Sequence, residues 1–265
     1  MNRRTFVLSL AAGVLRAESP AQVRGREIID KAIQSLGGNA FRNMRTRTET
    51  GRAYTFYHNR LSSMSVARFH TKYLMPPFDD GASKNAKVRQ IQRQVYGKKQ
   101  DDSVLYTASG AYEVTFRGAR PLPEDRAEQH QEATLHDIFY ILHQRTDEPG
   151  MEFEARGKDV VENQTVETVD IYDSEDRSVT AWFNAYSFLP VKQRFYHWDP
   201  TVKERREDVT RYTKFREVSG VMWPHTTERE RDSEKNFQLD ADKVTINEAL
   251  SDTFFEVPSG AKILK

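Results

Sequence analysis

The chain contains no cysteine. That excludes disulfides, thiolate catalysis, cysteine-based metal sites and the lipid-modified cysteine of a bacterial lipoprotein. After the first 17 residues no apolar run approaches the roughly 20 residues of a membrane helix. Linkers are missing too: there is no Ser/Gly-rich run, no proline tract and no block of like charge. Catalytic signatures are equally absent. G-x-S-x-G, a Walker loop, a dinucleotide glycine fingerprint and H-E-x-x-H do not occur. These absences point away from an enzyme and from a requirement for any cofactor.

Charge of one sign is also lacking. Residues 1–17 have the layout of a cleavable export signal, with Arg3 and Arg4 as a basic start, Phe6 to Leu15 as an apolar stretch and cleavage near Ala17. Asn2-Arg3-Arg4-Thr5-Phe6-Val7-Leu8 matches part of the twin-arginine pattern, so both export routes stay open. Arg3, Arg4 and Arg16 leave with the leader and no acid does, so 40 basic and 39 acidic residues become 37 and 39. A nucleic-acid binder would carry a basic excess. The expectation is an exported, periplasmic protein without a membrane anchor, soluble after cleavage, with residues 18–265 as a single domain.

What the chain does have is aromatic mass in a polar background: 15 Phe, 11 Tyr and 3 Trp at a mean hydropathy of −0.76. Such a chain favours a sheet with one wet and one apolar face over a sheet buried on both. Residues 24–36 read as an amphipathic helix ended by Gly37-Gly38, and Asn39 caps a further short turn through Met44. The period then becomes two. Tyr54 and Phe56 alternate with Thr55 and Tyr57; Tyr112, Val114 and Phe116 alternate with Glu113, Thr115 and Arg117. Val179, Ala181 and Phe183 follow a turn at 173–176, and Val191 and Phe195 precede Asp199-Pro200. Val209, Thr213 and Phe215 make the next strand, and Val221 and Trp223 follow Ser219-Gly220. These spacings describe antiparallel hairpins in a meander. The phase slips between Leu239 and Val244, as one extra residue of a β-bulge requires.

A second helix is predicted from Glu124 to Gln144, where Leu135, Ile138, Phe139 and Leu142 form an apolar stripe. The predicted architecture is mainly β with α: a curved antiparallel sheet with one helix at its start and another crossing its open side. If that helix is a lid over a cavity, Phe139→Ala costs less than the roughly 3 to 5 kcal/mol of a packed core position.

Three histidines on this helix, His130, His136 and His143, do not suit a metal. His136 and His143 lie about 10.5 Å apart along the axis, whereas two zinc-bound nitrogens each sit about 2 Å from the ion. The acid pairs Asp79-Asp80, Asp101-Asp102 and Glu124-Asp125 lie in loop-like contexts, and Asn163-Gln164-Thr165 reads as a turn. The mixed runs at 203–207 and 228–231 read as exposed strand faces with cross-strand ion pairs.

One resemblance spans most of this region. Thr210-Arg211-Tyr212, Gly220 to Pro224, Glu228 to Asp232, Val244 to Asn247 and Phe254 to Pro258 with Gly260 look like the outer-membrane lipoprotein-sorting superfamily (LolA/LolB-like), in particular a branch common in soil acidobacteria. Leu36 to Ala40 and Tyr112 to Gly118 resemble the same branch. The resemblance implies a half-open antiparallel β-barrel whose concave apolar side is covered by helices and binds acyl chains. The family's Arg-Pro strand-end element is not matched here, since Ala67-Arg68-Phe69-His70 lacks the proline.

The expected function is a carrier or sensor binding a hydrophobic ligand, a lipid or the acyl chains of a lipoprotein, in the concave face. Its expected cavity residues are Tyr54, Phe56, Tyr112, Val114, Phe116, Leu135, Ile138, Phe139, Leu142, Phe183, Phe195 and Trp223. The competing reading is a non-enzymatic cell-envelope interaction protein, meeting an envelope protein partner, whose sheet face is a packed core with no ligand cavity.

Overall fold

The structure, a computed structural model of the chain, describes residues 18–75, 88–99, 102–107, 110–199 and 202–264. The predicted leader, Asp79-Asp80 and Asp101 lie outside the described residues.

Helix α1 (Pro20–Ser35) starts as its sequence dictates. Ser19 and Gln22 form a reciprocal capping box and Pro20 takes the first turn, where its missing N–H costs nothing. Gly25 lets α1 lie directly on a strand backbone: a Cβ there would meet the carbonyl oxygen of Phe153 at 2.3 Å. The short helix α2 (Asn39–Arg42) follows.

Six strands then run as a meander: β1 (Thr46–Tyr57), β2 (Arg60–Tyr73), β3 (Gln90–Tyr96), β4 (Asp102–Thr107), β5 (Gly110–Thr115) and β6 (Gly118–Pro121). A helical segment intervenes, made of α3 (Glu124–Leu135), α4 (Ile138–Tyr140) and a π-helical turn (Ile141–Arg145). Seven more strands follow: β7 (Glu152–Val161), β8 (Gln164–Tyr172), β9 (Ser178–Asn184), β10 (Pro190–Asp199), β11 (Glu204–Val218), β12 (Val221–Arg231) and β13 (Glu234–Ile246). A 3₁₀ turn (Asp252–Phe255) precedes the C-terminal residues.

The thirteen strands among the described residues form one antiparallel sheet in the order β6-β5-β4-β3-β2-β1-β13-β12-β11-β10-β9-β8-β7. This order explains the position of the helices. The chain leaves the sheet at one edge, β6, and re-enters at the opposite edge, β7. The segment between them must therefore cross the whole sheet, and it crosses on the curved-in side. The mainly β, half-open barrel with helices on its concave face is what the sequence predicted.

The phase slip in β13 is a bulge. Gly51 pairs with Ala241 and Thr50 with Lys243, leaving Asp242 as the extra residue. Leu239 and Ala241 on one side of the slip, and Val244 and Ile246 on the other, thus stay on one face. Gly51 is required opposite the bulge, because a Cβ would stand 1.9 Å from the Asp240 carbonyl oxygen.

The main core lies between the helices and the sheet. Ile28, Ile29, Ala32 and Ile33 of α1, with Leu36, pack with Ile138, Phe139, Ile141 and Leu142 against Phe183, Phe195, Trp223, Val244 and Ile246. On β4 to β6 the other face is covered instead: Leu105, Val114 and Ala119 lie under Val257 and Ala261 of the C-terminal segment. Each end of the sheet thus buries apolar side chains, but on opposite faces.

Candidate functional site

The crossing segment is not the continuous helix predicted from Glu124 to Gln144. It breaks at His136 and restarts at Asp137, whose extended backbone and side chain cap α4 by accepting from the Tyr140 N–H at 2.9 Å. An Asp that bonds a nearby backbone N–H is a better cap than a mid-helix residue, and this local bond outcompetes one more helical turn. Gln193 of β10 holds the break to the sheet, accepting from Ile138 N at 2.7 Å and donating to the His136 carbonyl at 3.2 Å. The two halves then differ. In α3 only Thr134 and Leu135 are buried, while α4 and the π turn are buried almost throughout.

The stripe expected to face ligand and sheet, Leu135, Ile138, Phe139 and Leu142, packs on the sheet, with Phe139 at the wall of one open space and Leu135 at another. All four are buried, and the last three belong to the main core. Phe139 contacts Tyr212, Trp223 and Phe215 at ring separations of 4.9, 4.6 and 6.4 Å.

The strand residues divide by face. Phe183, Phe195 and Trp223 lie on the concave side; Phe195 and Trp223 border an open space there, and Phe183 is packed in the core. Tyr54 and Phe56 do not: their neighbours Ala53 and Thr55 pair with Leu239 and Phe237 of the concave face, so the alternation turns them outward. Lys235 sits over the Phe56 ring at 4.9 Å. Tyr112 and Val114 also lie on the far face, against the C-terminal segment. Phe116 lies beyond the end of β5, in the turn to β6, and is 79% exposed. Two-residue alternation defines two faces without saying which one is covered by helices, and these five positions show that.

Beside the packed half of the concave face a cavity of about 370 Å³ stays open. Phe139 and Trp223 close it on the core side; Phe69, Tyr96, Phe237 and Leu239 form the opposite wall. Phe69 and Phe237 stack at 6.2 Å, and Tyr96 meets Phe69 edge-on at 5.7 Å. Two further hollows, of about 610 and 340 Å³, flank α3 on either side. The helix therefore rests over poorly filled space, as segments of low local stability do.

The cavity is not purely apolar. Arg47 pairs with Glu49 at 3.1 Å and stacks on the Trp223 ring at 4.1 Å, while the Trp223 Nε1–H donates to Glu49 at 3.0 Å. Arg47 also donates to the Tyr73 hydroxyl, which burial pushes up to about 12. Arg231 pairs with Asp208 at 2.9 Å. Arg229 is different. It is an exposed residue at the cavity lining, lies over the Phe237 ring at 5.4 Å and has no ion-pair or hydrogen-bond partner among the described residues. The run at 228–231 supplies the expected surface pairs through Glu228–Lys235 at 2.7 Å and Arg211–Glu230 at 2.5 Å, but Arg229 points inward. An even spacing of six from Trp223 places it on the same face, a signal that reading the run as a surface patch passed over.

The histidines serve packing. His130 stacks on Tyr106 at 3.5 Å, His136 stacks on Phe195 at 4.3 Å and donates to the Glu132 carbonyl, and His143 Nε2 donates to the Met44 carbonyl at 3.0 Å. Among the described residues no group of three His, Asp or Glu is placed to hold a metal.

His143, 4% exposed, has its pKa pushed down to about 4 by burial. A histidine folded in its neutral form contributes stability above the unfolded value of about 6.5, and that contribution is lost as pH falls toward the folded value. Urea midpoints measured from pH 7 to pH 4 are expected to fall across that window. His143→Gln, which retains an amide donor for Met44, is expected to flatten the slope. An equally steep profile in the variant would show that other groups drive the acid loss.

Among the described residues no helix is long and apolar enough to cross a membrane. No family model and no curated protein matches the sequence. Solved structures do. A DUF1329 family protein from Desulfovibrio piger aligns over 88% of this chain and 97% of its own, at 13% identity and a TM-score of 0.51. A domain described as outer membrane lipoprotein-sorting, from Vibrio parahaemolyticus, aligns over the same shares at 12% identity and a TM-score of 0.52. At such identities the likeness is one of fold, and at that level the resemblance read from strand ends and turns is borne out: the chain is built as the half-open barrel of lipoprotein-sorting and DUF1329 proteins.

Proposed function

We propose that this chain is a periplasmic carrier or sensor that holds a hydrophobic ligand, a lipid or a lipoprotein acyl chain, in the concave cavity beneath α3. The observation that supports it is the cavity itself. Phe69, Tyr96, Phe139, Trp223 and Phe237 supply the apolar wall of an unfilled space whose remaining lining is polar, with Gln92, Gln94 and Thr71 among it; ligand sites combine an apolar wall with polar groups that fix orientation. The shared fold with a lipoprotein-sorting domain agrees with it, as does the leader-like start of the chain. No step of bond making or breaking enters this reading.

The experiment is binding of an environment-sensitive fluorescent fatty acid to the purified chain, paired with mass spectrometry of lipid copurified from the native envelope. Saturable, single-site probe binding, displaced by the copurified lipid, is the expected result. No probe binding and no copurified lipid would leave the envelope interaction protein as the reading that stands.

A further inference from the structure

Resting on the carrier reading, the geometry points to an anion subsite inside the cavity: we propose that the ligand is an amphiphile with an anionic head, held by the guanidinium of Arg229, with its apolar part between Phe69, Phe237 and Trp223. Three arginines line this space. Arg47 and Arg231 are each matched by a carboxylate, Glu49 and Asp208. Arg229 has none within ion-pair distance among the described residues and is held only by the face of Phe237. Stacking occupies one face of a guanidinium and leaves its N–H edge free to donate, which is the geometry that takes a carboxylate or phosphate.

The surroundings of Arg229 favour this. Its charge acts on Tyr96, Tyr106, His130, Asp137 and Tyr212 together, which places it centrally in the space beneath the crossing helices. Burial keeps the tyrosines and the histidine among these neutral, so they neither neutralise the arginine nor repel an anion. Among the described residues Asp137 is the carboxylate of the cavity wall that opposes an anion without a salt-bridged cation of its own. Burial raises its pKa, and its oxygen already accepts the Tyr140 N–H, so its opposition is weakened. Size adds a second constraint. A cavity of about 370 Å³ is at the low end of the roughly 300 to 1,000 Å³ of ligand sites, which suits one chain with a compact head better than several chains.

The test compares charged probes with their neutral counterparts: a fluorescent fatty acid against its methyl ester, and a fluorescent lysophosphatidic acid against the matching monoacylglycerol. The wild-type chain is expected to bind at least one acid more tightly than its neutral partner. Whichever acid it prefers identifies the head as carboxylate or phosphate. Arg229→Gln is expected to weaken that acid by about tenfold to a hundredfold and to leave the neutral probe within about twofold, while Arg229→Lys retains most of the affinity. Raising salt on the wild-type chain is expected to weaken only the acid, which gives an answer even if Arg229→Gln folds poorly. Equal binding of acids and neutral probes, unchanged by Arg229→Gln and by salt, would overturn the anion subsite while leaving the carrier reading intact. Binding of no probe at all would overturn both.

Discussion

Replacing Arg145 by methionine is expected to destabilise the protein by about 3 to 5 kcal/mol, the cost of breaking a buried ion pair from one side. Arg145 is 2% exposed at the end of the π turn. Its guanidinium donates to Asp173 at 2.7 Å, to Glu148 at 2.8 Å and to the carbonyl of Leu135 at 2.7 Å. One side chain therefore ties the end of α3, the start of the return to β7 and the β8–β9 turn to one another. Burial alone would raise the pKa of Asp173, yet the bonds from Arg145 and from the Arg177 side chain and backbone hold it below the ordinary carboxylate value. In Arg145→Met the Asp173 and Glu148 carboxylates lose this partner, and the Leu135 carbonyl loses a donor. Guanidinium unfolding with an unchanged slope and a lowered midpoint is the expected readout. Arg145→Met combined with Asp173→Asn is expected to recover part of the loss, because the buried carboxylate left with Arg177 as its remaining cation is then neutral. A single variant that loses less than 1 kcal/mol would show that water reaches these groups and that the crossing segment is not anchored here.

Phe139→Ala is expected to cost a similar amount, about 3 to 5 kcal/mol, against the smaller loss that a lid position would give. The ring is 4% exposed and is held between Tyr212 and Trp223, with the Tyr212 hydroxyl fixed by Gln193 at 2.7 Å. With Tyr212 tethered to Gln193, the space left would join the open cavity beside it rather than be filled, so a cavity term is expected to add to the transfer term. Because Phe139 also closes one side of the open cavity, probe binding is expected to weaken as well, from a distorted wall rather than from a loosened lid. Ala127→Ser on α3 is a fitting comparison: it removes no core contact, so any effect on probe uptake at unchanged stability reports on the covering helix. A stability loss below 2 kcal/mol for Phe139→Ala would show that the aromatic floor reorganises, and would return the apolar stripe to the role of a lid.

Helix α1, the hairpin succession of the C-terminal half and the bulge near Asp242 were legible because each rests on a local rule. These are an apolar stripe ended by Gly37-Gly38, alternation between turns, and a one-residue slip of phase. Strands β2 to β4 and β7 were not legible. They carry Arg, Gln, Ser and Thr at many positions, and polar strands give no alternation to count. The break at His136 was hidden because the stripe through Leu135, Ile138, Phe139 and Leu142 has helical spacing across it. Only the competing cap at Asp137 and the grip of Gln193, 55 residues further along the chain, decide that it stops.

The sequence by itself therefore determined the class of fold, the absence of cysteine chemistry, the near-balance of charge and the positions where apolar faces exist, since composition and periodicity act over a few residues at a time. Which face is concave was decided only by the tertiary structure. A chain that leaves at β6 and re-enters at β7 must cross the sheet on one side, and the C-terminal segment then covers the other side of β4 to β6. That placement turned Tyr54, Phe56, Tyr112 and Val114 away from the cavity and brought Arg47, Phe69, Tyr96, Arg229 and Phe237 into it. Their proximity comes from strand pairing between segments nearly 200 residues apart, as between Thr55 and Phe237, and no local pattern encodes it.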